Sequence, residues 1–109
     1  MTVLFDDKKL EAFISDARRA GNRFKKYARD KEFYTYLIDA INTLYSVDCT
    51  FELKQFSYLH YEQLKHQDKT IGSIRIMHGR VERLIFEEIE DGIKIIVLEL
   101  NNDHYGNKK

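Results

Sequence analysis

The sequence predicts an α+β domain in which an N-terminal strand and two helices pack on a mainly antiparallel, four-stranded sheet. Three observations predict it. Apolar residues recur at helical spacing through the first half, as Leu10, Phe13, Ile14 and Ala17 and then as Phe33, Leu37, Ile41 and Leu44. From Gly72 onward the period becomes that of strands, with Ile74 and Ile76 alternating with Arg75 and Met77. Asp91-Gly92 then separates two β-rich runs, residues 81–89 and 93–100, as a hairpin turn does.

Residues 2–5 read as a short first strand, and Asp6 or Asp7 is placed to cap the helix that follows. Gly21 is the expected end of that helix, with Arg18 and Arg19 in the last turn, where the helix dipole favours cations. A second helix is expected from near Asn22 to about Tyr45, with Asp30 as a possible break. Residues 47–70 lack clean periodicity and are expected to form a short helix or an extended segment over the sheet edge. The last run, Ile93-Lys94-Ile95-Ile96-Val97-Leu98, is almost continuously apolar and predicts a central strand covered on both faces.

At 109 residues the chain is expected to form one domain spanning residues 1–109, with a single core. Apolar residues at 43% and charged residues at 33% exclude a disordered class. The start of the chain lacks the basic and apolar regions of a signal peptide, and no apolar run is long enough to cross a membrane. The single Cys49 suits a reducing compartment, so a cytoplasmic location is expected. The formal net charge is zero, but residues 1–31 carry nine Lys/Arg against five Asp/Glu. Arg18, Arg19, Arg23, Lys25, Lys26 and Arg29 form a basic cluster that reads first as a solvated helix face and only second as a nucleic-acid patch.

The chemistry-bearing residues lie in and around the predicted sheet. Glu62 precedes it, Arg75 and Arg83 lie within it, and His104-Tyr105 follow its last strand. A carboxylate, two guanidinium groups, an imidazole and a phenol suit RNA cleavage by the RNA's own 2′-hydroxyl. Glu or His can take the 2′-OH proton, Arg can stabilise the charged phosphorane, His can protonate the leaving 5′-oxygen and an aromatic can stack on a splayed base. No metal or other cofactor is needed. Each residue also has an ordinary reading: a surface carboxylate at Glu62, a cross-strand pair of Arg75 with Glu82, a stem of Arg83 covering apolar surface, a free tail at His104-Tyr105. Strand parity separates the readings. A two-residue turn at His78-Gly79 points Arg75 and Arg83 to opposite faces, whereas a three-residue loop with Gly79 left-handed sets them opposite each other on one face.

The pieces Glu62-Gln63-Leu64-Lys65-His66, Ser73-Ile74-Arg75-Ile76, Arg83-Leu84-Ile85-Phe86 and His104-Tyr105 stand in the same order as in the YoeB branch of the RelE/ParE superfamily, which this sequence resembles over roughly residues 61–105. The resemblance implies the toxin component of a bacterial toxin–antitoxin pair. Such a toxin is a metal-independent endoribonuclease (an mRNA interferase) that cleaves mRNA, commonly on the ribosome, and is held inactive by a cognate antitoxin. It implies Glu62 as general base, His104 as general acid, Arg83 and Arg75 on the scissile phosphate, Tyr105 against the substrate and Lys65 as a further phosphate contact. The alternatives are a ParE-like, non-enzymatic toxin that binds DNA gyrase and an inactive interaction module of the same fold. An antitoxin partner further implies an exposed apolar groove in the isolated chain.

Overall fold

The computed structural model describes residues 1–102. The strands are β1 (Thr2–Phe5), β2 (Glu62–His66), β3 (Lys69–Arg75), β4 (Arg83–Ile89) and β5 (Lys94–Asn101), and the α-helices are α1 (Lys8–Ser15), α2 (Lys25–Ala28) and α3 (Lys31–Ser46). The strands form one sheet in the order β1-β5-β4-β3-β2. β1 runs parallel to β5, and the other pairs are antiparallel. The class is α+β as expected, but the sheet is five-stranded and mixed. The additional strand, β2, falls in the stretch without periodicity, and all five of its residues are exposed. An edge strand with no buried side leaves no apolar alternation to read.

Both long helices are shorter than their patterns suggest, because aspartates interrupt them. Asp7 caps α1 by accepting from the Leu10 N–H at 3.1 Å. α1 then stops at Ser15, where Asp16 turns extended and caps the 3₁₀ turn Ala17–Arg19 through the Arg18 N–H. Gly21, at φ +62°, therefore lies beyond that turn and does not terminate α1. Asp30 does break the second helix. It ends the short α2 and caps α3, accepting from the Phe33 N–H at 3.1 Å.

Below the break the helical stripe is as read: Phe33, Leu37, Ile41 and Leu44 are buried. With Leu10 and Phe13 they pack on Val3, Phe5, Ile74, Leu84, Phe86, Ile95 and Val97 in one cluster. Each such Leu or Phe contributes on the order of 1.5–3 kcal/mol by burial. Tyr34 ties α3 to the end of α1 by donating to the Phe13 and Ile14 carbonyls at 2.9 Å.

All the strand residues of that cluster lie on one face of the sheet. On β5, Ile95 and Val97 are buried, whereas Ile96 and Leu98 are only partly so, so this strand is covered on one face rather than two. Ile85 is buried but stands outside the core cluster, on the other face. Among the described residues no helix packs on that second face, and none is long and apolar enough to cross a membrane.

The turns also depart from the sequence reading. The β4–β5 ladder closes at Ile89↔Lys94, and the link contains a 3₁₀ turn with Glu90, Asp91 and Gly92 all at positive φ, in place of a two-residue Asp-Gly turn. Gly92 is needed here, since a Cβ would meet the Thr50 hydroxyl at 2.3 Å. Between β3 and β4, Ile76 N–H reaches the Glu82 carbonyl at 3.4 Å, and Arg80 N–H closes a turn on Met77 at 3.2 Å with Gly79 at φ +82°.

Candidate functional site on the open face of the sheet

The β3–β4 link is longer than either turn weighed from the sequence, and its effect is the favourable one: Arg75 stands directly opposite Arg83. On the neighbouring strand Glu62 pairs with Ser73, and Ser73 precedes Arg75 by two residues. Directly opposed residues, and residues two apart on one strand, share a sheet face. Glu62, Ser73, Arg75 and Arg83 therefore all belong to the face without helices. Two strand spacings and a two-residue offset separate Glu62 from Arg83 by roughly 12 Å between backbones, a gap their side chains and one phosphodiester can fill.

Arg83 is held in place. Its Nε donates to Ser73 Oγ at 3.0 Å, and Nη2 donates to the Ser73 carbonyl at 3.3 Å and to the His60 carbonyl. His60 is left-handed at φ 45°, at the end of the 3₁₀ turn Ser57–Leu59. The Arg83 arm thus lies across Ser73, which is buried although it faces outward. Arg75 differs: its Nε is buried and has no hydrogen-bond partner among the described residues. A buried donor without a partner costs about 1–3 kcal/mol. Glu62 is exposed.

The remaining expected site residues divide. Lys65 alternates to the opposite face, where it lines a hollow with Gln63 and Glu88, so it does not join Glu62 and the arginines. His104 and Tyr105 lie outside the described residues; β5 reaches Asn101, which stands opposite Arg83. The basic cluster is a solvated surface, with Arg18 bound to Asp16 and Arg23 to Asp7.

Glu82, weighed as a partner for Arg75, instead turns inward. Arg80 grips its carboxylate with Nε and Nη2, both at 3.2 Å, and Tyr27 donates to it at 3.1 Å. The third Arg80 nitrogen reaches Asp30 at 3.0 Å, and its guanidinium lies over the Phe33 ring at 4.8 Å. Burial pushes the Glu82 carboxyl up, but the Arg80 and Tyr27 hydrogen bonds outweigh it and hold it below its ordinary value.

Sequence reasoning missed a second buried carboxylate, Glu88, on the helix-covered face. Thr50 Oγ1 donates to it at 2.8 Å, Gln63 Nε2 at 2.9 Å, and the Tyr61 hydroxyl donates as well. Burial and the Glu88 carboxylate push the Tyr61 hydroxyl up to about 12. Parity carried the signal: Glu88 shares its strand face with Leu84 and Phe86, so a core-facing glutamate was readable.

No protein-family model, curated protein or solved structure matches this chain. Among the described residues the open face presents the exposed carboxylates of Glu62 and Glu99, the anchored guanidinium of Arg83 and the guanidinium of Arg75, whose Nε lacks a partner.

Proposed function

We propose that the open sheet face cleaves RNA without a metal and that the chain is the toxin of a toxin–antitoxin pair, in line with its resemblance to the YoeB branch of the RelE/ParE superfamily. The observation that carries the reading is the pairing of Arg75 with Arg83 on the face that also holds Glu62. Glu62 takes the 2′-OH proton, and the 2′-oxygen attacks the adjacent phosphorus. Arg75 and the pre-oriented Arg83 stabilise the phosphorane, to which paired guanidinium donors are matched. The bond to the 5′-oxygen breaks, leaving a 2′,3′-cyclic phosphate. His104 protonates the departing oxygen, and Tyr105 stacks on the substrate; both roles rest on the resemblance alone.

The antitoxin reading draws support from an apolar groove of about 450 Å³ between α3 and the turn Ser57–Leu59, edged by Tyr36, Tyr58 and Met77. Grooves of this kind accept an amphipathic helix.

One observation favours a second reading. The net charge is zero, whereas RNA-binding chains usually carry a basic excess. A ParE-like toxin, which binds DNA gyrase without acid–base chemistry, needs no such excess. Induction in bacteria with and without the neighbouring open reading frame distinguishes the two. The enzymatic reading expects growth arrest with cleaved transcripts, relieved by Glu62→Gln or His104→Ala. Arrest with DNA damage and intact transcripts selects the gyrase reading, and normal growth with intact transcripts removes both.

A further inference from the structure

A hollow of about 320 Å³ opens on the helix-covered side of the sheet, at the β2 end, with Glu88 in its wall. Its construction is specific. A Cβ on Gly72 would meet the Glu88 carboxylate and the Phe86 ring, each at 2.5 Å, and one on Gly92 would meet the Thr50 hydroxyl. Two of the chain's five glycines therefore leave room for this carboxylate and one of its donors.

Glu88 is 8% exposed, yet its described hydrogen-bond partners, Thr50, Tyr61 and Gln63, are all neutral. Glu82, equally buried, is gripped by an arginine. A carboxylate has about four acceptor sites, of which three are used here, none of them by a cation among the described residues.

Across the strands, Lys65 pairs with Thr70 and Thr70 pairs with Glu88. An ammonium, a hydroxyl and a carboxylate thus stand in one row over about 10 Å of sheet, facing the same hollow. Lys54 and Asp91 add one charge of each sign, so the lining is neutral overall but polarised. The Phe51 ring, 69% exposed and covered by Lys54 Nζ at 4.8 Å, supplies an apolar surface at the mouth.

We infer that this hollow binds a small zwitterion of the α-amino-acid class, its ammonium against Glu88 and its carboxylate toward Lys65 and the Thr70 hydroxyl. A simple cation would leave the lysines unanswered, and a simple anion would face Glu88. The site is on the opposite face from Glu62 and the arginines and is independent of RNA cleavage; either can fail without the other.

The test is an NMR titration of the full chain with each free L-amino acid, following the Gln63 side-chain amide and the Gly72 and Gly92 backbone amides. The matching amines and carboxylates serve as single-charge controls. The expected result is saturable binding of at least one amino acid with Kd on the order of 1 mM or tighter. Glu88→Gln and Lys65→Ala should each weaken it at least tenfold, and both single-charge analogues should bind at least tenfold more weakly. Lys65 is exposed on an edge strand, so Lys65→Ala remains informative even if Glu88→Gln does not fold. Absence of any saturable shift at roughly 10 mM, binding unchanged in Lys65→Ala, or a carboxylate alone binding as well as the amino acid overturns the inference.

Discussion

Strands β3, β4 and β5 present two faces that differ in every respect except their backbone. Toward the helices they offer Ile74, Leu84, Phe86, Ile95 and Val97, all buried in one cluster. On the other face the same strands offer Arg75, Arg83, Glu87 and Glu99, with Ser73 buried beneath the Arg83 arm and Ile85 buried as well. Because side chains alternate with a period of two, a single ladder can commit one face to stability and the other to recognition. Substitutions on the two faces should then separate folding from activity.

The largest effect is expected on the covered face. Phe86→Ala should lower the unfolding free energy by about 3–5 kcal/mol, read from urea denaturation, because it empties a fully buried ring volume. Should an open-face substitution such as Glu62→Gln cost as much, the division between faces would be wrong. Next comes the inward network. Arg80→Ala leaves the buried Glu82 carboxylate without its cation and should cost about 2 kcal/mol, less than a fully buried pair because Arg80 is 34% exposed.

Acid should act through the same network and through the separate Asp7–Arg23 pair. The Glu82, Asp7 and Asp30 carboxyls are held below their ordinary values of 4.5, 3.8 and 3.8. Their contribution is therefore complete above about pH 4.5 and is lost as pH falls through the lowered values, since the unfolded chain binds the protons first. Thermal melts across that range should show a declining Tm, with a shallower decline in Glu82→Gln.

Tyr61 gives a smaller effect at the alkaline end. Its hydroxyl is raised from 10.0 to about 12, so its contribution is present below pH 10 and fades as pH rises toward 12. Replacing it with Phe should flatten the fall in Tm over that interval. A Tyr61→Phe profile identical to the wild type would detach Tyr61 from the Glu88 cluster.

What was legible in the sequence follows the strength of local periodicity. The α3 stripe and β1 were readable because each has a buried side with a regular spacing, and the Asp caps because their chemistry is local. β2 was not, because an edge strand with five exposed residues writes no apolar pattern. The facing of Arg75 and Arg83 depended on the length of the link around Gly79, and turn residues alone do not count the loop. Lys65 was grouped with Glu62 by the resemblance, although an odd spacing along a strand places them on opposite faces. The Arg75–Glu82 pair weighed as one ordinary reading does not form, because Glu82 takes Arg80, only two residues away in the loop, where strand pairing rules do not apply.

The most direct test of the account compares transcript cleavage in cells expressing the wild-type chain and Glu62→Gln at equal, folded levels. Glu62 is exposed, so the substitution should change stability by less than about 0.5 kcal/mol. The account predicts cleaved transcripts with the wild type and a loss of about 10²–10⁴ in cleavage rate with the variant, the usual effect of removing a general base. Cleavage by Glu62→Gln at the wild-type rate, or intact transcripts with the wild-type chain, would contradict it.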